Sequence, residues 1–456
     1  MGYSLGKIGC FLSFLPKKAL VFIKSYDCVP CFLVLFYIEF YTKKRYNRSM
    51  LGINGGSTMS SLLKKCREFT RAADIRALGL YPYFHELESR QDAEVVMEGK
   101  RRIMLGSNNY LGLTVHPEVT AAAEEAVRKL GTGCSGSRFL NGTLALHVQL
   151  ERELADFVGM EEAITFSTGF QSNLAIISAI AGPSDYILCD RENHASIYDG
   201  CKLSGAKTSV YRHANMDMLE SKLRAIPEGA GKLIVTDGVF SMSGDIAKLP
   251  DIVELAERYD ASVLVDDAHA FGVIGRGGRG TADHFGLTDR VDMIMSTFSK
   301  SLASIGGFVG TSHLIGEFMR HTSRPFIFSA SIPPSACATA LAALSVIRRE
   351  PERVTRLAEL ATYLKEQLTA RGVPITMAPT PIVPIHTKDT VTTLRVAKTL
   401  YDRGVYVNPV LPPATSPDDC LLRVSLMASH TEALLSEAAD IIAKTLDEEG
   451  LLHDGE

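Results

Sequence analysis

Residues 262–269 read SVLVDDAH, an apolar run of strand length that ends on two carboxylates and an imidazole. Similar short runs rich in Val, Ile and Leu recur with helix-length segments between them, at residues 163–167, 186–190, 208–211, 232–237 and 293–296. Strands that are buried on both faces have this continuous apolar character, and helical connections between them indicate parallel pairing. The sequence therefore predicts an α/β fold with a mostly parallel central sheet covered by helices.

The pattern changes on either side of this region. Residues 61–78 have apolar positions at helical spacing, and residues 102–107 read as a short strand. After Pro351 the sequence predicts a helix over 352–371, strands near 382–386 and 421–426, and a final helix near 431–448. We expect four parts, which are an extension over 1–58 outside the catalytic unit, an N-terminal arm over 59–105, a large domain over 106–350, and a small α+β domain over 351–456.

The composition is that of an ordinary globular protein. Of the 456 residues, 46% are hydrophobic and 22% are charged, which excludes a disordered chain. The formal net charge of −4 argues against a general nucleic-acid binder, whose binding surface is basic. The nine cysteines are odd in number and have no framework spacing, so we expect reduced thiols and a cytoplasmic protein.

The extension contains an apolar run at residues 29–41, VPCFLVLFYIEFY, followed by a basic cluster at residues 43–48. A membrane-spanning helix needs about 20 mostly apolar residues. This run is shorter, and Glu39 within it would cost roughly 2.5–3.5 kcal/mol near a bilayer centre. We expect residues 1–58 to have no catalytic role and to provide at most a peripheral membrane contact.

Polar side chains, and in one case a glycine that begins a helix, follow the carboxyl ends of the predicted strands. They are Gly169, His194, Ser241, the pair Asp266 and His269, and the pair Thr297 and Lys300. Open α/β sheets bind their ligands at this edge, so we expect these groups to converge there.

This set of side chains suits one cofactor. A lysine can form a Schiff base with an aldehyde, and a carboxylate can keep a pyridine nitrogen protonated. A helix N-terminus can hold a phosphate. Each residue alone has an ordinary structural explanation, but their joint placement predicts a pyridoxal 5'-phosphate (PLP) site. We expect no metal, since the pair Cys28 and Cys31 has no second pair near it.

Four motifs in order resemble the α-oxoamine synthase family of PLP enzymes. They are DRENHAS at 190–196, VDDAH at 265–269, TFSK at 297–300 and GGF at 306–308. The resemblance covers about residues 60–445. It implies fold type I of the PLP-dependent enzymes, with residues 106–350 as the PLP-binding domain. It also implies a homodimer with its active sites at the subunit interface.

The resemblance implies a catalytic role for each of four residues. Lys300 would bind the cofactor aldehyde, and Asp266 would contact the pyridine nitrogen. His194 would stack on the ring, while His269 would lie near the phenolic oxygen together with Ser241.

The phosphate and the substrate have their own implied residues. Gly169, Phe170 and Thr297 would hold the phosphate, and Ser329 would contact it in place of a threonine that some members have at the position of Ala330. Arg423 would bind the carboxylate of the amino acid with help from Asn108. A guanidinium offers a bidentate fork to a carboxylate, although Arg423 could also form a buried ion pair within the protein.

The implied reaction condenses a small amino acid with an acyl-CoA and releases CoA and CO2. The segments at 131–143, 297–308 and 324–334 are most similar to bacterial serine palmitoyltransferase-like members, so serine and a long-chain acyl-CoA are favoured, as in the first step of sphingolipid synthesis. The alternatives are 8-amino-7-oxononanoate synthase or glycine C-acetyltransferase activity and, more remotely, a PLP-dependent aminotransferase. A catalytically silent partner subunit is disfavoured because Lys300 is present.

A chain that begins at Met59 should retain the activity of the full chain, because every motif lies after that residue. The measurement compares turnover and membrane pelleting of the two proteins side by side. An inactive or insoluble shorter protein would show that the extension is part of the enzyme.

Overall fold

The computed structural model describes residues 60–452. It divides into two compact units, of which the first ends at Asp74 and the second begins at Ile75. The predictions for residues 1–58, including membrane contact, lie outside the described residues. Between residues 60 and 452, no helix is both long enough and apolar enough to cross a bilayer.

The strands of the structure follow in chain order. They are β1 (Glu94–Met97), β2 (Lys100–Met104), β3 (Glu162–Phe166), β4 (Tyr186–Asp190), β5 (Lys207–Tyr211), β6 (Lys232–Asp237), β7 (Ser262–Asp266), β8 (Met293–Thr297), β9 (Gly307–Thr311), β10 (Ile382–Lys388), β11 (Val405–Tyr406), β12 (Asn408–Val410) and β13 (Cys420–Ser425).

The α-helices are α1 (Lys64–Glu68), α2 (Arg71–Ala77), α3 (Pro117–Leu130), α4 (Ala145–Val158), α5 (Gly169–Ile180), α6 (Ala195–Ser204), α7 (Met216–Arg224), α8 (Leu249–Tyr259), α9 (Thr281–His284), α10 (His313–Thr322), α11 (Arg324–Ile327), α12 (Pro334–Arg349), α13 (Glu352–Thr369), α14 (Thr390–Asp402) and α15 (Glu432–Glu448). Short 3-10 helices lie at Ser61–Leu63, Leu113–Val115, Arg276–Gly278 and Thr288–Arg290.

The central sheet has seven strands in the order β3-β9-β8-β7-β6-β4-β5. Strands β4 to β8 pair in parallel, while β9 runs antiparallel to both of its neighbours. The predicted mostly parallel sheet is confirmed. Strand β9 was not predicted, because its sequence GFVGT contains two glycines and glycine is depleted in strands.

Glycine in β9 is required by packing rather than by strand propensity. A Cβ atom at Gly307 would lie 2.8 Å from the Cα of Gly169 and 2.6 Å from the Oγ of Ser172. The start of helix α5 therefore packs directly on β9, which brings that helix N-terminus close to the sheet edge.

Two smaller sheets complete the second unit. One has the order β1-β2-β11, so a strand near the start of this unit pairs in parallel with one near its end, with Val405 opposite Ile103. The other has the order β10-β13-β12. The proposed division into arm, large domain and small domain remains a prediction, since residues 75–452 form one compact unit.

The predicted single helix over 61–78 is interrupted. Phe69 has an extended backbone with ψ of 99°, and it separates α1 from α2. The short helices α1 and α2 contain no buried residue. Helices this short are marginal without tertiary packing, which explains why the apolar periodicity did not produce one long helix.

A buried ion pair holds the glycine-rich loop at 131–143 to the edge of the central sheet. The guanidinium of Arg138 donates to both carboxylate oxygens of Glu151, at 2.6 and 2.9 Å. Glu151 on α4 also accepts a bond of 2.8 Å from the backbone N–H of Thr165 on β3. The side chains of the pair are 9% and 10% exposed, so neither charge has water to replace a lost partner.

Replacing Glu151 with Ala should lower the free energy of unfolding by about 3–5 kcal/mol, because it leaves the Arg138 charge buried and unpaired. Glu153 is the matched control, since it lies on the same helix and pairs with Arg348 in a bridge about one-third exposed. Glu153→Ala should cost only about 0–1 kcal/mol. Urea unfolding measures both values, and equal losses would contradict the importance of the buried pair.

Candidate active site

A cavity of about 310 Å³ lies at the carboxyl ends of β6, β7 and β8. The predicted site residues that line it are Gly169, Phe170, His194, Asp266, His269, Thr297 and Lys300. Four other predicted residues, Asn108, Ser241, Ser329 and Arg423, do not line it. The structure therefore brings predicted groups from four different strand ends to one cavity.

Strand register explains how the carboxylates reach this cavity. Asp237, the last residue of β6, is paired with Asp266, the last residue of β7. Both are buried, and both line the cavity. Burial, followed by the charge of Asp266, raises the pKa of Asp237 well above its usual range. Sequence reasoning missed Asp237, although its position at the end of a strand was a usable signal.

Two N–H donors hold the carboxylate of Asp266. Its Oδ2 accepts a bond of 2.7 Å from the side-chain amide of Asn173, and its Oδ1 accepts one of 2.9 Å from the backbone N–H of Ala268. Such bonds stabilise the charged form of a carboxylate that is out of contact with water. Asp266 thus presents a fixed negative charge at the cavity.

The imidazole of His194 faces the cavity from the start of helix α6. His194 is the N-cap residue of this helix, and its Nδ1 lies 2.7 Å from the Oγ of Ser196. Desolvation lowers the pKa of His194, although the charge of Asp266 opposes this effect. The side chain itself is exposed to the open cavity. A neutral imidazole with a free face can stack on a planar ligand.

Lys300 lies just after β8, where it lines the cavity. Desolvation lowers the pKa of its amine to about 7, and the charge of Asp266 offsets part of that effect. Among residues 60–452, no carboxylate lies within ion-pair distance of this amine. A substantial fraction of Lys300 is therefore a neutral nucleophile near pH 7.

A chain of hydrogen bonds leads from His269 to Arg423. The Nδ1 of His269 lies 2.7 Å from the hydroxyl of Tyr110, whose oxygen accepts a bond of 3.3 Å from Arg423. Because a guanidinium can only donate, the Tyr110 hydroxyl accepts from Arg423 and retains its own proton, which it donates to the Nδ1 of His269. His269 is therefore left with its proton on Nε2, as a donor. Sequence reasoning missed Tyr110, which follows Asn108 in the motif SNNY.

Arg423 is buried without a carboxylate partner among the described residues. It donates to the side-chain oxygen of Asn108 at 3.1 Å and to the backbone carbonyl of Ser241. The structure thus does not show the buried ion pair that was the alternative for this arginine. It places Ser241 in contact with Arg423 through its backbone. An uncompensated guanidinium of this kind can bind an anionic ligand.

The start of helix α5 has the features of a phosphate site. The Oγ1 of Thr168 accepts a bond of 3.1 Å from the backbone N–H of Gln171, which caps the helix. A Cβ atom at Gly169 would lie 2.7 Å from the Cβ of Thr297, so this close approach requires glycine. The first N–H groups of a helix lack partners within it and attract anions.

Ser329 lies apart from the cavity, beside a small separate pocket. Its Oγ accepts a bond of 3.2 Å from the side-chain amide of Gln171. The neighbouring carbonyl of Ala330 accepts a bond of 2.6 Å from Ser167. Within one chain, Ser329 is thus near the first turn of α5 without lining the cavity.

The fold and this site define a PLP-dependent transferase of fold type I. A model of the family described as aminotransferase class I and II matches residues 100–442, and the chain belongs to this family. The predicted family relationship and fold are confirmed.

Similar proteins within the family have more specific names. Serine palmitoyltransferase of Sphingobacterium spiritivorum is 49% identical over 379 residues, which cover 83% of this chain and 95% of that protein. The protein named 8-amino-7-oxononanoate synthase 1 of Bacillus subtilis (strain 168) is 43% identical over 367 residues, covering 80% and 94%.

Solved structures agree with the sequence comparison. A high-resolution structure of SPT with the PLP internal aldimine has a TM-score of 0.84 and 38% identity, and it covers 86% of this chain and 100% of that one. A serine palmitoyltransferase of Sphingomonas wittichii has a TM-score of 0.82 and 36% identity, covering 87% and 100%.

In the unliganded protein, Lys300 should react with acetic anhydride with a midpoint near pH 7, because desolvation lowers the pKa of its amine to about 7. Ordinary exposed lysines titrate near about 10.4 and provide the internal comparison. Competitive labelling from pH 5 to 11, followed by peptide mass spectrometry, gives both curves. A Lys300 midpoint near that of the exposed lysines would show that the amine is well solvated.

Proposed function

We propose that the chain catalyses the PLP-dependent condensation of serine with a long-chain acyl-CoA, which gives an α-oxoamine, CoA and CO2. The observation that carries the proposal is the joint presence of Lys300, Asp266 and two neutral imidazoles around one cavity, together with Arg423, which has no carboxylate partner among residues 60–452. Relatives named serine palmitoyltransferase, 49% identical over most of the chain, support the choice of substrates.

The residues of the cavity fit PLP. Asp266 presents a fixed negative charge suited to a protonated pyridine nitrogen, and the close approach at Gly169 leaves the helix N-terminus open to a phosphate. Gly169, Phe170 and Thr297 would hold that phosphate. When bound, PLP supplies an electrophilic aldehyde and an electron-withdrawing ring.

The side chains around the cavity have separate tasks. Lys300, with its lowered pKa, offers a neutral amine that can act as a nucleophile and accept a proton at Nζ. His194, which lines the cavity, would cover one face of the ring and exclude water there. The Nε2 proton of His269 provides a hydrogen bond to an anionic oxygen, because Tyr110 fixes the Nδ1 side of that ring.

Arg423 would bind the carboxylate of the amino acid. Asn108 and the carbonyl of Ser241 occupy part of its guanidinium, which fixes its orientation. Its remaining donors are available for a carboxylate, and burial strengthens that attraction because little water competes. Ser241 would lie near the phenolic oxygen as well, which is a proposal from the family resemblance.

A second candidate function is that of an 8-amino-7-oxononanoate synthase, which a relative at 43% identity supports. Both candidates join an amino acid to an acyl-CoA and differ in the two substrates. The residues around Lys300 suit either reaction, so a comparison of amino-acid and acyl-CoA substrates is needed to decide between them.

We also propose that the working enzyme is a cytoplasmic homodimer. Two large apolar side chains, Phe328 and Leu140, are 75% and 76% exposed in the single chain, and a second copy could cover them. Ser329 next to Phe328 could then reach the phosphate of the partner subunit. Peripheral membrane contact through residues 1–58 remains a separate proposal.

The proposal is tested by assaying serine, glycine and alanine against acetyl-, pimeloyl- and palmitoyl-CoA, with CoA release as the signal. Serine with palmitoyl-CoA should give the highest kcat/KM. Lys300→Ala should lower turnover by several orders of magnitude while the protein stays folded, because the nucleophilic amine is lost.

Two results would contradict the proposal. A preference for alanine with pimeloyl-CoA would favour the second candidate. Amino-group transfer to a 2-oxo acid without CoA release would indicate an aminotransferase, and full activity of Lys300→Ala would exclude the proposed role of that residue.

A further inference from the structure

Two buried polar side chains, Asn173 and the cavity-lining Ser196, connect Asp266 to His194. The amide nitrogen of Asn173 lies 2.7 Å from the Oδ2 of Asp266 and 2.8 Å from the Oγ of Ser196. The Oγ of Ser196 in turn lies 2.7 Å from the Nδ1 of His194. Asn173 is 0% exposed and Ser196 is 1% exposed, so water does not interrupt this series of bonds.

The position of each proton in the series follows from what each group can donate. The amide nitrogen of Asn173 has two hydrogens, which go to Asp266 and to Ser196. The reverse orientation would turn the amide oxygen towards the Asp266 carboxylate, and two acceptors would then repel each other. Since Ser196 accepts from Asn173, its own hydroxyl proton is free for the Nδ1 of His194.

A backbone contact supports the same assignment independently. The N–H of Ser196 lies 3.3 Å from the Nδ1 of His194, and a backbone N–H can only donate. The Nδ1 is therefore an acceptor, and the proton of the neutral ring is on Nε2. The lowered pKa of His194 agrees with a neutral ring.

An asparagine at position 173 lowers the stability of the fold, and its two hydrogen bonds explain why this residue type is present. Asparagine is a poor residue inside a helix, and Asn173 lies in the middle of α5. Among the described residues its amide oxygen has no hydrogen-bond partner, and a buried unsatisfied oxygen destabilises a fold. A leucine or alanine would avoid both costs, but neither could donate to Asp266 and Ser196 together.

We propose that Asn173 and Ser196 are positioning residues that hold Asp266 as an oriented carboxylate and fix His194 as the neutral tautomer with its proton on Nε2. The inference rests on the proposed function in that both target residues face the PLP site. It goes further in that it assigns one connected set of buried bonds to two residues that would contact PLP at different places, Asp266 at the ring nitrogen and His194 on the ring face.

The removal of each residue should have a different effect. Without the Ser196 hydroxyl, the Nδ1 of His194 loses its better donor, so the ring should take up a proton more readily. Without the Asn173 amide, Asp266 loses one of two donors and part of its fixed orientation. Weaker PLP binding should follow, since outer groups that orient a ligand typically contribute about 10- to 100-fold.

The experiment on Ser196 uses full-length protein labelled with ¹⁵N-histidine, without cofactor or substrate. His194→Asn identifies the His194 resonances. The wild-type ring should be neutral with an unprotonated Nδ1 at pH 7, and Ser196→Ala should raise its proton affinity about tenfold, a change of about 1.36 kcal/mol. The titratable groups that face His194, which are Asp237, Asp266, His269 and Lys300, are all retained in this variant.

Ser204→Ala is the matched control for Ser196→Ala. Ser204 lies at the end of the same helix, and its hydroxyl donates to the carbonyl of Cys201 at 2.7 Å, away from His194. This control should leave the His194 titration unchanged. A protonated Nδ1 in the neutral wild-type ring, or equal titrations of Ser196→Ala and wild type, would overturn the inference.

The experiment on Asn173 measures the dissociation constant of PLP by absorbance. Asn173→Ala should bind PLP about tenfold more weakly than Ser178→Ala, a control on the same helix whose hydroxyl donates to the carbonyl of Leu174. Equal affinities would overturn the role of Asn173. If Asn173→Ala does not fold, the Ser196 titration decides the inference. Neither experiment contains substrate. The His194 titration and the PLP dissociation constant therefore test the inference even if the enzyme uses substrates other than those proposed.

Discussion

The carboxylate of Asp266 is the group around which the rest of the site is arranged. It is buried at the end of β7, where a charge without partners would be very costly. The fold stabilises it with the N–H of Ala268 and the amide of Asn173, while burial and the charge of Asp266 raise the pKa of the neighbouring Asp237. The closeness of Asp237 and Asp266 follows from the parallel register that ends β6 and β7 side by side.

The basic side chains of the cavity do not neutralise the negative charge of Asp266. Desolvation lowers the pKa of Lys300, of His194 and of His269, so the cavity has few permanent cations despite three basic side chains. Arg423 is the exception, because a guanidinium does not lose its proton in proteins. The Asp266 carboxylate at the cavity and the Arg423 guanidinium, which is connected to the cavity residue His269 through Tyr110, suit a ligand with a cationic ring nitrogen and a separate carboxylate.

The sequence was sufficient to predict the parallel strands and the residues at their ends, because buried strands have continuous apolar runs and the polar groups follow at once. It could not predict β9, where packing against Gly169 outweighs strand propensity. Asp237, Tyr110 and Asn173 were also missed. Their roles come from contacts across the fold, such as the bond of Tyr110 to His269, and one-dimensional spacing does not show such contacts.

The attachment of PLP to Lys300 is the claim on which the proposed chemistry depends. Reduction of the purified full-length protein with sodium borohydride, followed by peptide mass spectrometry, locates the attachment site directly. The phosphopyridoxyl group should be found on the peptide that contains Lys300 and on no other lysine. Its presence on a different lysine, or its absence after incubation with excess PLP, would contradict the proposed active site.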